Sequence, residues 1–159
     1  MEHWEAQMFE YNKVYHFDLT GTYSFGGLSE EELNATFQNG STASLPFERQ
    51  LTKWFPELTH IPGCKRHDHI DEESKRYDAK GFTESSGCKF LPSSMVGTGR
   101  TVNLEKLKER VQYLDGGYPI IDIIDFPKIR VIFKRSKELL RDYPNGKISL
   151  KEREVLFSE

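Results

Sequence analysis

Two apolar runs, Tyr118 to Ile124 (YPIIDII) and Ile129 to Phe133 (IRVIF), are separated by only Asp125-Phe126-Pro127-Lys128. Runs this short and this rich in β-branched residues are too brief for a helix and carry the composition of buried strands. A strand that is apolar throughout has to be covered on its faces, so the rest of the chain must supply covering layers.

The covering elements are legible upstream and downstream. Val14 to Phe25 (VYHFDLTGTYSF) is aromatic and β-branched and predicts a strand ended by Gly26-Gly27. Ser29 followed three residues later by Glu32 is a capping box and predicts a short helix over Ser29 to Phe37, stopped at Asn39-Gly40. A second helix is expected from about Ser44 to Leu58, with Pro46 in its first turn and Phe47, Leu51, Trp54 and Leu58 on one stripe.

Lys65 to Asp71 and Arg76 to Thr83 are short, polar and extended, with Glu72 to Lys75 as the turn between them. Ser85 to Arg100 is dominated by Gly, Ser and Pro and reads as mostly loop. Asn103 is placed to cap a helix bearing Leu104, Leu107, Val111 and Leu114. Ser136 opens another short helix, and Ser149 with Glu152 forms a second capping box before a terminal one. This order predicts an α/β fold of mixed α+β type, one mixed sheet flanked by helices.

With 159 residues, 36% of them hydrophobic and 30% charged, the chain is expected to form a single domain over 1–159. The net charge of −3 argues against indiscriminate attraction to nucleic acid or anionic membrane, while leaving room for a local basic groove. No apolar run approaches a membrane span, and MEHWEAQMFEYNK lacks the basic-then-apolar order of a secretory signal. The expected setting is therefore cytoplasmic, with no membrane partner and with Cys64 and Cys88 reduced.

The segment Asp68 to Lys80 (DHIDEESKRYDAK) carries the chemistry: an acid at 68, a second at 78 and a lysine at 80. A hairpin turning near Glu73-Ser74 sets position 68 opposite 78 or 79, and strand alternation puts Asp78 and Lys80 on one face. Two hard oxygen ligands would share a divalent cation, with the Ala79 carbonyl and Glu48 of the preceding helix as further ligands. Lys80 would orient water or stabilise charge developing on a phosphate. Asp71 is a rival for the first acid. Cys64, His67, His69 and Cys88 form a competing zinc set within a non-catalytic nucleic-acid- or protein-binding domain.

The order of a Glu-bearing helix, a strand with Asp and a strand with Asp-x-Lys resembles the PD-(D/E)XK nuclease superfamily over positions 44 to 133. HDHIDEESKRYDAKG is most similar to the small dimeric type II restriction endonucleases, with His67 where their motif has proline and Asp78 in place of the commoner Glu. The resemblance implies a restriction-endonuclease-like central mixed sheet and a metal-dependent DNA endonuclease. It implies Asp68 and Asp78 as metal ligands and Lys80 as the catalytic lysine. It also implies Mg2+ as cofactor, in a one-metal or two-metal scheme, double-stranded DNA as substrate and a homodimer.

Contacts to DNA are expected from Lys89, Ser93, Ser94 and Arg100 in the loop after the catalytic strand, and from Arg130 on the second apolar strand.

Overall fold

The computed structural model describes residues 6–63, 66–92, 95, 99 and 101–158. The two apolar runs become β7 (Tyr118–Asp122) and β8 (Lys128–Lys134), an antiparallel pair with Ile120 opposite Ile132. β1 (Val14–Asp18) adds antiparallel to the far side of β8, and β5 (Lys80–Phe82) adds parallel to β7, giving the order β1-β8-β7-β5. The sheet is thus mixed, as the sequence implies, with β5 as an edge.

Each face of this sheet carries a core. On one side Tyr15, Phe17, Ile121, Val131 and Phe133 pack against Phe47, Leu51 and Trp54 of α2 (Gly40–Trp54). On the other, Phe82, Tyr118, Ile120 and Ile132 meet Leu107 and Val111 of α3 (Leu104–Tyr113) and Leu139 of α4 (Ser136–Asp142). Leu156 of α5 (Arg153–Leu156) joins that second core. Helix, sheet and helix make an α+β fold, each apolar strand face covered as its composition demands. Among the described residues no helix is long and apolar enough to cross a membrane.

Several boundaries differ from expectation for local reasons. β1 stops at Asp18 because that carboxylate accepts from the Thr20 amide at 2.9 Å, closing a turn. α1 (Glu30–Phe37) has the expected capping box at Ser29 and Glu32. Asn39, expected to stop α1, is also the N-cap of α2: its side chain accepts from Ser41 and Thr42 amides. The second helix therefore begins at Gly40 and ends at Trp54, and Pro46 lies inside it.

The stretch expected to be loop contains β6 (Cys88–Lys89), which pairs antiparallel with β9 (Lys147–Ile148), while Cys88, Phe90, Leu91 and Met95 are buried. The terminal capping box holds, with Ser149 and Glu152 closing a 3-10 turn ahead of α5.

The polar hairpin is real but divided. β2 (Thr59–His60), β3 (His69–Ile70) and β4 (Arg76–Tyr77) form a small antiparallel sheet of their own. Its register, His69 opposite Tyr77 and Ile70 opposite Arg76, continues to Asp68 facing Asp78. The chain then leaves this sheet at Asp78 and enters the main one at Lys80. Asp78 and Ala79 are the crossing point, fixed by an Asp78 amide bond to Gly117 O at 3.2 Å.

Candidate active site at the edge of the sheet

Asp68 and Asp78 come together at that crossing. The Asp68 carboxylate accepts from the Ala79 amide at 2.9 Å and shares a hydrogen bond with Asp78. Asp78 is buried and ion-paired twice through Oδ2, to Lys80 Nζ at 3.1 Å and to Arg110 Nη2 at 3.3 Å. Lys80 Nζ is also 3.4 Å from the Leu91 carbonyl, so the ammonium is held between the edge strand and the segment after β6.

The two acids do not ionise alike. Burial, the bond to Asp78 and the charges of Asp78 and Glu48 push the Asp68 carboxyl up to about 8. Burial alone would raise Asp78 as well, but Lys80, the Asp68 bond and Arg110 together hold it below the usual carboxylate range. Asp68 thus keeps a proton at neutral pH and donates it to an ionised Asp78.

Asp71, the rival acid, is committed elsewhere. It accepts from the Glu73 and Lys75 amides at 2.9 and 3.0 Å and from the Tyr77 hydroxyl at 2.7 Å, closing the hairpin turn. Glu48 on α2 lies beside the pair rather than within it. His60 Nε2 donates to its carboxylate at 3.2 Å, and His69 Nε2 donates to its backbone carbonyl at 2.6 Å. Among the described residues no group of three or more His, Cys, Asp or Glu side chains is arranged to hold a metal ion. The donor set facing one point is therefore two carboxylates, with Ala79 backbone between them and Glu48 felt through its charge.

That pair nevertheless fits a hard divalent cation. Asp78 is buried and Asp68 half-buried, and two carboxyls this close ionise together only against more positive charge than Lys80 and Arg110 bring to Asp78; the proton retained on Asp68 answers that demand, and a cation bound to oxygen would answer it equally.

Two hollows open at this edge. One, of about 650 Å³, is lined by Asp68, Asp78, Lys80, Arg66, Lys106 and Arg110 among others. The second, of about 800 Å³, runs past Asn39, Ser41, Ser85, Ser86 and Lys89. Ser44, Glu48, Ala79, Lys80 and Gly81 line both, so the hollows adjoin along β5.

Of the residues expected to meet DNA, Lys89 is exposed in the larger hollow. Ser93, Ser94 and Arg100 lie outside the described residues. Arg130 lies apart from these hollows: its guanidinium is bound by buried Asp122 and by Glu154, both at 2.9 Å, and it lines a separate hollow with His16 and Asp125. Strand alternation points Arg130 away from Val131, onto the face where buried Asp122 awaits it.

Among the described residues the zinc set does not come together. Cys64 lies outside the described residues. Cys88 is fully buried in the core beneath α3, where burial pushes its thiol up to about 12. His67 is hydrogen-bonded to the Tyr113 hydroxyl on α3, while His69 is buried against α2 and lowered by that burial to about 4. The two histidines thus serve opposite helices.

Arg110 and its neighbours were not anticipated. Lys106 and Arg110 are four residues apart on α3 and so share a helix side, the one signal available in the sequence. Arg66 and Arg76 both lie over the Tyr113 ring, each 4.2 Å from its centroid. Comparison with known protein families, curated protein sequences and solved structures gives no match.

Proposed function

We propose that this chain is a metal-dependent DNA endonuclease of the PD-(D/E)XK type, hydrolysing phosphodiester bonds. The observation that carries this reading is the meeting of Asp68 with Asp78 where Asp78 also holds Lys80, at an edge strand open to a hollow lined by Arg66, Lys106 and Arg110 as well as the acids. Magnesium held by Asp68, Asp78 and the Ala79 carbonyl would polarise the scissile phosphate and acidify a bound water.

The chain's own groups divide the remaining work. Asp78 anchors Lys80, whose ammonium is positioned to orient the attacking water or to meet charge developing on phosphate. Asp68 would hold the cation only as the carboxylate, having lost its proton, and Glu48 would add negative potential from α2. Lys89, Lys106 and Arg66 supply positive potential along the adjoining hollows, where a phosphate backbone would run. A dimer reading a symmetric site, a restriction role and a cytoplasmic setting belong to this same proposal.

The test is plasmid cleavage in magnesium by wild type beside Asp78→Asn and Lys80→Ala. Both variants should lose cleavage; retention by both removes these residues from the chemistry. Discrete fragments would indicate sequence specificity, and a smear its absence.

A second reading has one observation in its favour: Lys80 and Arg110 already neutralise Asp78, as in a structural ion cluster of a non-catalytic binding domain. That reading predicts neither cleavage nor thermal stabilisation by magnesium.

A further inference from the structure

The cation on α3 that faces the acids has more capacity than its present contacts use. Arg110 lines the hollow with Asp68 and Asp78, and its side chain is 16% exposed. One fork nitrogen, Nη2, meets Asp78 Oδ2 at 3.3 Å, while Nε is buried and meets no acceptor. A guanidinium presents five N–H donors in a planar fork, matched to the paired oxygens of a carboxylate or phosphate. Here the fork shares a single carboxylate oxygen with Lys80.

That oxygen is the contested one. If Asp78 turns its charge to a divalent cation, Arg110 and Lys80 lose part of their counter-charge together. Lys80 retains the Leu91 carbonyl. Among the described residues Arg110 has no other side-chain acceptor, only the ring of Tyr113, 5.7 Å from its guanidinium carbon. Arg66 also lines the hollow, as does Lys106 beside Glu109 of the same helix.

We propose that Arg110 is an exchange residue of the site: it holds Asp78 before metal and substrate bind, then transfers its fork to the phosphate undergoing cleavage. This inference rests on the nuclease reading above and adds to it a fourth group and a competition. Arg110 and the cation exclude one another on Asp78, so removing the guanidinium should strengthen cation binding while weakening turnover. Removing a purely structural counter-ion would strengthen cation binding in the same way but leave turnover unchanged.

The experiment compares wild type, Arg110→Gln, Arg110→Lys and Lys80→Ala in two measurements: magnesium titration by thermal melting without DNA, and plasmid cleavage at saturating magnesium. For Arg110→Gln, half-saturating magnesium should fall on the order of tenfold through loss of a like charge, and turnover should fall about a hundredfold through loss of a phosphate donor. Unchanged magnesium saturation in folded Arg110→Gln overturns the exchange, whatever happens to turnover. Wild-type turnover in Arg110→Gln, with Lys80→Ala inactive, overturns the phosphate contact.

Should Arg110→Gln not fold, Arg110→Lys carries the test. It keeps a charge for Asp78 but not the fork, so turnover should drop about tenfold, and unchanged turnover overturns the proposal. Wild type that neither cleaves nor is stabilised by magnesium overturns the nuclease reading itself, and this inference with it.

Discussion

Under the proposed nuclease reading, the proton on Asp68 would make magnesium binding a function of pH. Because burial and the Asp78 carboxylate push Asp68 up to about 8, the cation must displace one proton whenever the solution is below that value. A single displaced proton makes apparent affinity rise about ninefold from pH 6 to pH 7, about fivefold from pH 7 to pH 8, and little beyond pH 9. Near pH 7, about 0.9 proton should leave per cation bound.

The metal-free protein has the opposite slope. A carboxyl raised in the folded state binds its proton where the unfolded chain has lost it, so stability falls as pH rises between about 4 and about 8, then levels. Magnesium should cancel that fall. The assay is thermal melting across this range with and without magnesium, joined to calorimetric titration in two buffers of different ionisation enthalpy. Asp68→Asn can still donate to Asp78 but has no proton to lose, so its pH slope should vanish and its magnesium affinity should drop about a hundredfold. Wild-type affinity flat from pH 6 to pH 8, or an undiminished slope in Asp68→Asn, would refute the shared-proton picture.

Other consequences are independent of metal. Arg130→Met leaves Asp122, 2% exposed as a side chain, with Arg153 at 2.8 Å as its remaining cation; denaturant unfolding should show a loss of about 2–3 kcal/mol, with DNA affinity of the folded protein unchanged. Gly117 has φ +103 and a Cβ there would sit 2.2 Å from the Lys134 carbonyl. Gly117→Ala should therefore cost about 3 kcal/mol or more, read by melting temperature; a wild-type temperature would contradict the crowding. Lys89→Ala should reduce the slope of log affinity against log salt by about one, and an unchanged slope would remove Lys89 from the DNA path.

The elements visible in the sequence were those whose causes are local. Ser29 with Glu32, Asn103 and Ser149 with Glu152 each satisfy amides a few residues away, so their helix starts could be read from short spacings. The apolar strands were equally plain, because burial on both faces leaves no polar alternation. β6 was hidden because its partner lies far along the chain in β9, and two residues such as Cys88-Lys89 carry no period of their own. Asn39 was half legible: its turn chemistry was evident, but the same side chain both follows one helix and caps the next.

At the site, Asp68, Asp78 and Lys80 were readable as a spacing, and their register became definite only through the pairing of His69 with Tyr77. Arg110 was not readable, since its relation to Asp78 is created by α3 folding over the sheet. The partners of Arg130 were hidden for the same reason: a strand arginine looks free in the sequence until Glu154 and Asp122 are brought to it.

The most direct measurement is crystallographic: manganese substituted for magnesium, located by its anomalous scattering. The peak should lie between the Asp68 and Asp78 carboxylates beside Ala79, with Arg110 withdrawn from Asp78. Well-diffracting crystals in manganese that show no peak there, with Lys80 and Arg110 still bound to Asp78, would contradict a metal-dependent site.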